Sequence, residues 1–217
     1  MAKQEIKQEQ VLNVEEAVSR SEAFINKNKK TLVAVVAAVI LLIAGSVAVS
    51  TFVIAPREKA AVEALFIGEQ SFQDGNYETA IVEFEAVIAD HKGTKAANLA
   101  KAYAGISLAK LGRYEEAIPM LKAFKGNDLM VAPSVLAALG NCYAQVGEEA
   151  QAAATLVKAA QKADNNLLSP AYLIQAGQIF EKLGKKADAL KAYEQIKEKY
   201  YGSMQAMDID KYIERVK

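Results

Sequence analysis

A three-residue skeleton recurs four times along this chain: a glycine, a second glycine seven residues later, and an alanine five residues after that. The triplets are Gly68/Gly75/Ala80, Gly105/Gly112/Ala117, Gly140/Gly147/Ala152 and Gly177/Gly184/Ala189, stepped by 37, 35 and 37 residues. Self-similarity at such a period constrains the fold more than any single segment can. One unit cannot bury its apolar face alone, whereas stacked units build a continuous core. The expected class is all-α, a solenoid of about four helix–turn–helix pairs.

The residues inside a unit give the skeleton its physical sense. Leu136, Leu139, Tyr143 and Val146 fall on one stripe of a helix over Ser134–Val146. Gly147 then stops it, because a residue without Cβ enters the left-handed region freely. A second helix through Ala150–Ala163 turns Ala152, Leu156 and Ala159 back onto the first, and the small Gly140 and Ala152 permit close approach. The last unit repeats this with Leu173, Phe180, Ala189, Tyr193 and Ile196; Ser169 is the expected N-cap and Pro170 a first-turn proline. Pro119 falls inside a second helix, which it is expected to kink or loosen. After the last unit, Ile209, Tyr212, Ile213 and Val216 at i, i+3, i+4 and i+7 suit a capping helix within 203–217.

This spacing resembles the tetratricopeptide repeat, whose eighth and twentieth positions are small with aromatics between and after. Gly112-Arg113-Tyr114-Glu115-Glu116-Ala117-Ile118 and Gly75-Asn76-Tyr77-Glu78-Thr79-Ala80-Ile81 carry the match, which covers about residues 61–202. The family's early tryptophan and closing proline are absent from all four units. The resemblance implies a protein-binding groove lined by the first helix of each pair. The expected lining is Leu65, Glu69, Phe72 and Gln73 from the first unit, then Ala102, Ile106 and Lys110 from the second. The third adds Ala137, Asn141 and Gln145, and the fourth Ile174, Gln178 and Glu181. Chaperone-binding members clamp a C-terminal carboxylate with a lysine and an asparagine where this chain has Leu65 and Glu69, so that activity is not expected. A neutral, partly apolar lining suits an extended or helical peptide.

A second signal is Thr31–Ile54, which holds no charged residue and no proline. As a helix it would be about 36 Å long, enough to cross a hydrocarbon core of about 30 Å. Lys27, Lys29 and Lys30 abut its start, whereas Glu58 dilutes Arg57 and Lys59 after its end. That bias predicts a cytoplasmic N-terminus and repeats on the far side. A cleaved signal peptide fits poorly, since both the lead-in and the apolar run are too long. A four-unit solenoid also lacks a core able to hide such a helix. The expected layout is a tail over 1–30, a transmembrane helix over 31–54, a linker over 55–60, the array over 61–202 and the cap over 203–217. In the tail, Val11, Val14, Val18 and Ile25 form a rough heptad seam interrupted by Ser21. It reads equally as an amphipathic helix or a disordered segment.

Composition excludes several functions. Lysine plus arginine equal aspartate plus glutamate at 26 each, leaving no field of one sign to gather nucleic acid. Cys142 is the single cysteine, beside the apolar stripe of its helix, and reads as a small core residue. His91, the only histidine, stands in a turn closed by Gly93 and Thr94. No nucleophile–base set, phosphate-cradling glycine run or metal-ligand spacing appears. The chain reads as a non-enzyme without cofactor or metal.

The whole layout, a charged tail ending Lys27-Asn28-Lys29-Lys30, one anchor, four repeats and a closing helix, is similar to the YfgM-like ancillary subunits of the bacterial Sec translocon. That resemblance implies an inner-membrane protein with periplasmic repeats, partnered by the translocon and a PpiD-like chaperone or prolyl isomerase, assisting secreted chains. Rival readings are a cell-envelope assembly factor coordinating outer-membrane or peptidoglycan machinery, and an organelle import receptor with cytosolic repeats.

Overall fold

The computed structural model describes residues 2–217, with side chains at residue 20 and residues 24–217. Two compact units meet in sequence at Pro56/Arg57. Among the described residues every regular element is helical.

The first unit holds α1 (Ala2–Val49) and a π-helical turn over Ser50–Ile54. The Thr31–Ile54 run lies in these two elements. It belongs to the one stretch among the described residues that is long and apolar enough to cross a membrane, and none of its apolar window is buried. Leu41, Leu42 and Phe52 are 72%, 73% and 78% exposed, which no soluble core helix would tolerate. The backbone of the expected tail is helical, but Val11, Val14 and Val18 lie outside the residues whose side chains are described.

The second unit stacks four antiparallel pairs. These are α2 (Ala55–Gln73) with α3 (Tyr77–Asp90), α4 (Lys95–Lys110) with α5 (Tyr114–Ala123), α6 (Val131–Gln145) with α7 (Glu149–Ala163), and α8 (Ser169–Lys182) with α9 (Lys186–Lys199). A 3₁₀ turn over Met204–Asp208 leads into α10 (Ile209–Val216). Residues 55–60, expected as a linker, are helical and open α2. Glu58 already engages the repeats, accepting the N–H groups of Lys95 and Ala96 at 2.9 Å each.

Each member of the skeleton has one task. The first glycine makes room for a large side chain sixteen residues on. A Cβ on Gly68, Gly105 or Gly140 would stand 2.6, 2.7 or 2.9 Å from Phe84, Leu121 or Leu156, and one on Gly177 would collide with Tyr193. The second glycine turns the chain: Gly75, Gly112, Gly147 and Gly184 have φ of 77°, 78°, 84° and 71°. The next N–H then closes back on a carbonyl five residues earlier, as from Arg113 to Leu108 at 2.9 Å and from Glu148 to Tyr143 at 2.8 Å. The alanines Ala80, Ala117, Ala152 and Ala189 are fully buried at the helix crossings.

One local expectation needs correction. Ser169 is not the N-cap of α8: it is buried, its hydroxyl donates to the Ala160 carbonyl at 2.8 Å, and it accepts the N–H of Asn165. Asn165 does the capping, its Oδ1 accepting the N–H groups of Leu167 and Leu168 at 2.9 and 2.8 Å. Pro119 leaves α5 helical on both sides of it, and α5 stops at 10 residues where α3 has 14.

The two ends of the array differ. Positions buried or half-buried in later first helices, such as Ala100, Ala104 and Ser107 of α4, correspond in α2 to Glu63, Ile67 and Gln70, all exposed. Two of the three are polar, as the first unit of a solenoid requires. At the other end Ile209, Ile213 and Val216 of α10 are buried with Tyr193 and Ile196.

Candidate protein-binding groove

Between the first helices of the second and third pairs lies an open cavity of about 350 Å³, lined by Leu99, Ala102, Tyr103, Ile106, Met130, Val131, Ser134 and Val135. Its α4 wall is a helical face at i, i+3, i+4 and i+7 from Leu99. The other wall is the start of α6. There Asp128 accepts the N–H groups of Met130, Val131 and Ala132 at 3.0, 2.5 and 3.3 Å. Those bonds outweigh desolvation and hold its carboxyl below the ordinary aspartate value. Anchored by this cap, Met130 and Val131 remain 54% and 41% exposed, an uncommon state for adjacent large apolar side chains.

Tyr103 forms the floor toward the first pair. Its ring stacks on Phe84 at 5.2 Å between centroids and meets the edge of Phe72 at 5.3 Å. Burial, then the charge of Glu69, raises its phenol above the ordinary value, so it stays a neutral donor.

The expected lining is redistributed by packing. Ala102 and Ile106 enter the cavity. Leu65 and Ala137, each 5% exposed, are corrected to core positions, packed with Phe84 and with Leu156 respectively; Ala102, at 2%, offers only its methyl group. Phe72 is half-buried against Tyr77 and Tyr103. Ile174 packs on the C-terminal cluster. Glu181 is also corrected: its carboxylate accepts Arg215 Nε and Nη2 at 2.7 Å each and the Tyr193 hydroxyl at 2.5 Å, fastening α10 instead of facing a ligand. Gln73, Lys110, Asn141, Gln145 and Gln178 are exposed, and Glu69 half-buried, outside this cavity. Met130 and Val131 were missed because α6 begins three residues before Ser134, where the sequence stripe starts.

Cys142 is 1% exposed, and burial pushes its thiol up to about 11, so it is an inert core residue. The His91 carbonyl accepts the Thr94 hydroxyl at 2.7 Å, and Thr94 caps α4 through the Ala97 N–H at 3.0 Å. Among the described residues no group of three or more His, Cys, Asp or Glu is placed to hold a metal.

Two family models match the second unit: the N-terminal TPR repeats region of Psidin over residues 70–176, and the tetratricopeptide repeat over residues 171–203. Residues 70–203 of the array are thus matched by models of tetratricopeptide repeats. A tetratricopeptide repeat protein from Parabacteroides merdae superposes with a TM-score of 0.59 at 15% identity, over 73% of this chain and 60% of that one. This chain therefore spans less than two thirds of that relative's length. MamA superposes with a TM-score of 0.54 at 19% identity, over 72% of this chain and 89% of its own. At such identities the likeness is one of fold. No curated protein matches the sequence. Tetratricopeptide repeat proteins act as protein-interaction scaffolds.

Proposed function

We propose that this chain is a membrane-anchored scaffold whose repeats hold an apolar, extended or helical segment of a partner protein. The observation that carries the reading is the cavity between α4 and α6, where Ile106, Met130 and Val131 present apolar surface held in place by folded backbone. The exposed apolar run Thr31–Ile54 supports the anchor. The layout similarity to YfgM-like subunits supports a place beside the Sec translocon and a PpiD-like chaperone at a bacterial inner membrane, assisting secreted chains.

The test is photocrosslinking from Ile106 in native membranes, followed by mild-detergent capture of the full chain. Met130→Asp with Val131→Asp places charge where a bound apolar segment must desolvate, and should weaken capture by about 1–3 kcal/mol. Both residues are exposed, so stability should change by no more than about 0.5 kcal/mol each. Undiminished crosslinking in the folded double variant would sink the groove reading. Translocon or chaperone subunits in the captured set support the secretion role; outer-membrane or peptidoglycan machinery in their place would replace it with the envelope-assembly reading.

A further inference from the structure

Antiparallel pairs put the turns within pairs on one edge of the array and the loops between pairs on the other. The within-pair turns are polar, with Asn76, Arg113, Glu148 and Lys185 after their glycines. The between-pair edge is of a different kind. There Leu129, Leu167 and Tyr201 are 64%, 70% and 81% exposed. On the same edge Lys92, Lys95 and Lys125 surround an open cavity of about 590 Å³. None of the three is in an ion pair among the described residues.

Direct bonds join these loops into one line. The Asn98 side chain donates to the Lys125 carbonyl and accepts its N–H, at 2.7 and 3.0 Å. Lys162 donates to Asn127 at 3.4 Å, and the Tyr200 hydroxyl donates to Asp164 at 3.0 Å. Glu58, bonded to the first N–H groups of α4, belongs to this edge as well. Only three residues of chain lie between it and Ile54, the end of the apolar run, a reach of at most about 14 Å.

We propose that the between-pair edge is a lipid-docking surface: Lys92, Lys95 and Lys125 meet anionic headgroups while Leu129, Leu167 and Tyr201 enter the interface of the membrane that holds Thr31–Ile54. This rests on the anchored reading above. Exposed apolar loop tips beside unpaired lysines match an interface that is apolar below and negatively charged above. The short chain step from Ile54 limits how far Glu58, at one end of this edge, can stand from the end of the apolar run.

The test uses the full chain in vesicles of phosphatidylcholine, with or without phosphatidylglycerol, after a carbonate wash. An environment-sensitive fluorophore is placed at Leu129→Cys or Leu167→Cys, with Glu148→Cys on the opposite edge as control; Cys142 is buried and can stay. Doxyl-labelled lipid should quench the first two labels and not the third, more strongly with phosphatidylglycerol. Lys92→Glu, Lys95→Glu and Lys125→Glu together, or high salt, should remove the extra quenching. Labels at 129 and 167 that stay as unquenched as the one at 148, on a chain that resists carbonate, overturn the docking surface. A chain released by carbonate overturns the anchor instead.

Discussion

Gly105 lacks a side chain because Leu121 occupies the place one would take, with its Cγ 2.7 Å and its backbone nitrogen 3.1 Å from an added Cβ. Backbone cannot step aside as a flexible tip can, so Gly105→Ala should cost about 1–3 kcal/mol by overpacking. Gly45→Ala, with nothing within 4 Å, should leave the unfolding of the array unchanged in urea titrations. Glu181 supplies a pH-dependent counterpart. Arg215 above all, with help from Tyr193, holds its carboxyl below the ordinary 4.5 despite desolvation. A depressed carboxylate stabilises the fold fully above its unfolded value and loses that contribution as pH falls through the folded one. Glu181→Gln should therefore cost about 1–2 kcal/mol at pH 7, discounted for the exposed Arg215. The difference from the parent should shrink as titrations move below about pH 4.

Among the second helices α5 is the short one, and Pro119 is the reason the sequence offers. Beyond the first turn, proline removes one backbone bond and crowds the carbonyl four residues back. Pro119→Ala should stabilise the array by about 1–3 kcal/mol, read as a higher urea midpoint with unchanged helical content. The element pattern itself was legible in the sequence, because spacing reports steric rules: a slot for residue i+16, a left-handed turn, a buried alanine. Caps were less legible. Asn165 and Ser169 are both good capping residues, and only the Ala160 carbonyl at the end of α7, which accepts the Asp164 N–H as well, decides that Ser169 bonds there. The groove suffered most. Motif position predicts which way a residue points on an ideal repeat. It does not say that a neighbouring helix already covers Leu65 and Ala137, or that α10 claims Glu181.

At the scale of the whole chain, charge balance around Thr31–Ile54 sets a definite expectation. Protease added to spheroplasts should digest the segment after Arg57 and spare residues 1–30, as fragments in mass spectrometry would report. Protected repeats would reverse the orientation and remove the periplasmic reading with it.

The short α5 also has a mechanical consequence. Because it ends at Ala123 and α6 begins at Val131, residues 124–130 form the longest connection inside the array, held by Asn98, Asp128 and Lys162 through hydrogen bonds more than by buried side chains. Met130, the last residue of this connection, lines the cavity. The cavity's two walls belong to the units on either side, α4 before the connection and α6 after it. Bending at this connection would change the width of the groove, and an occupant touching Ile106 and Met130 together would act as a splint.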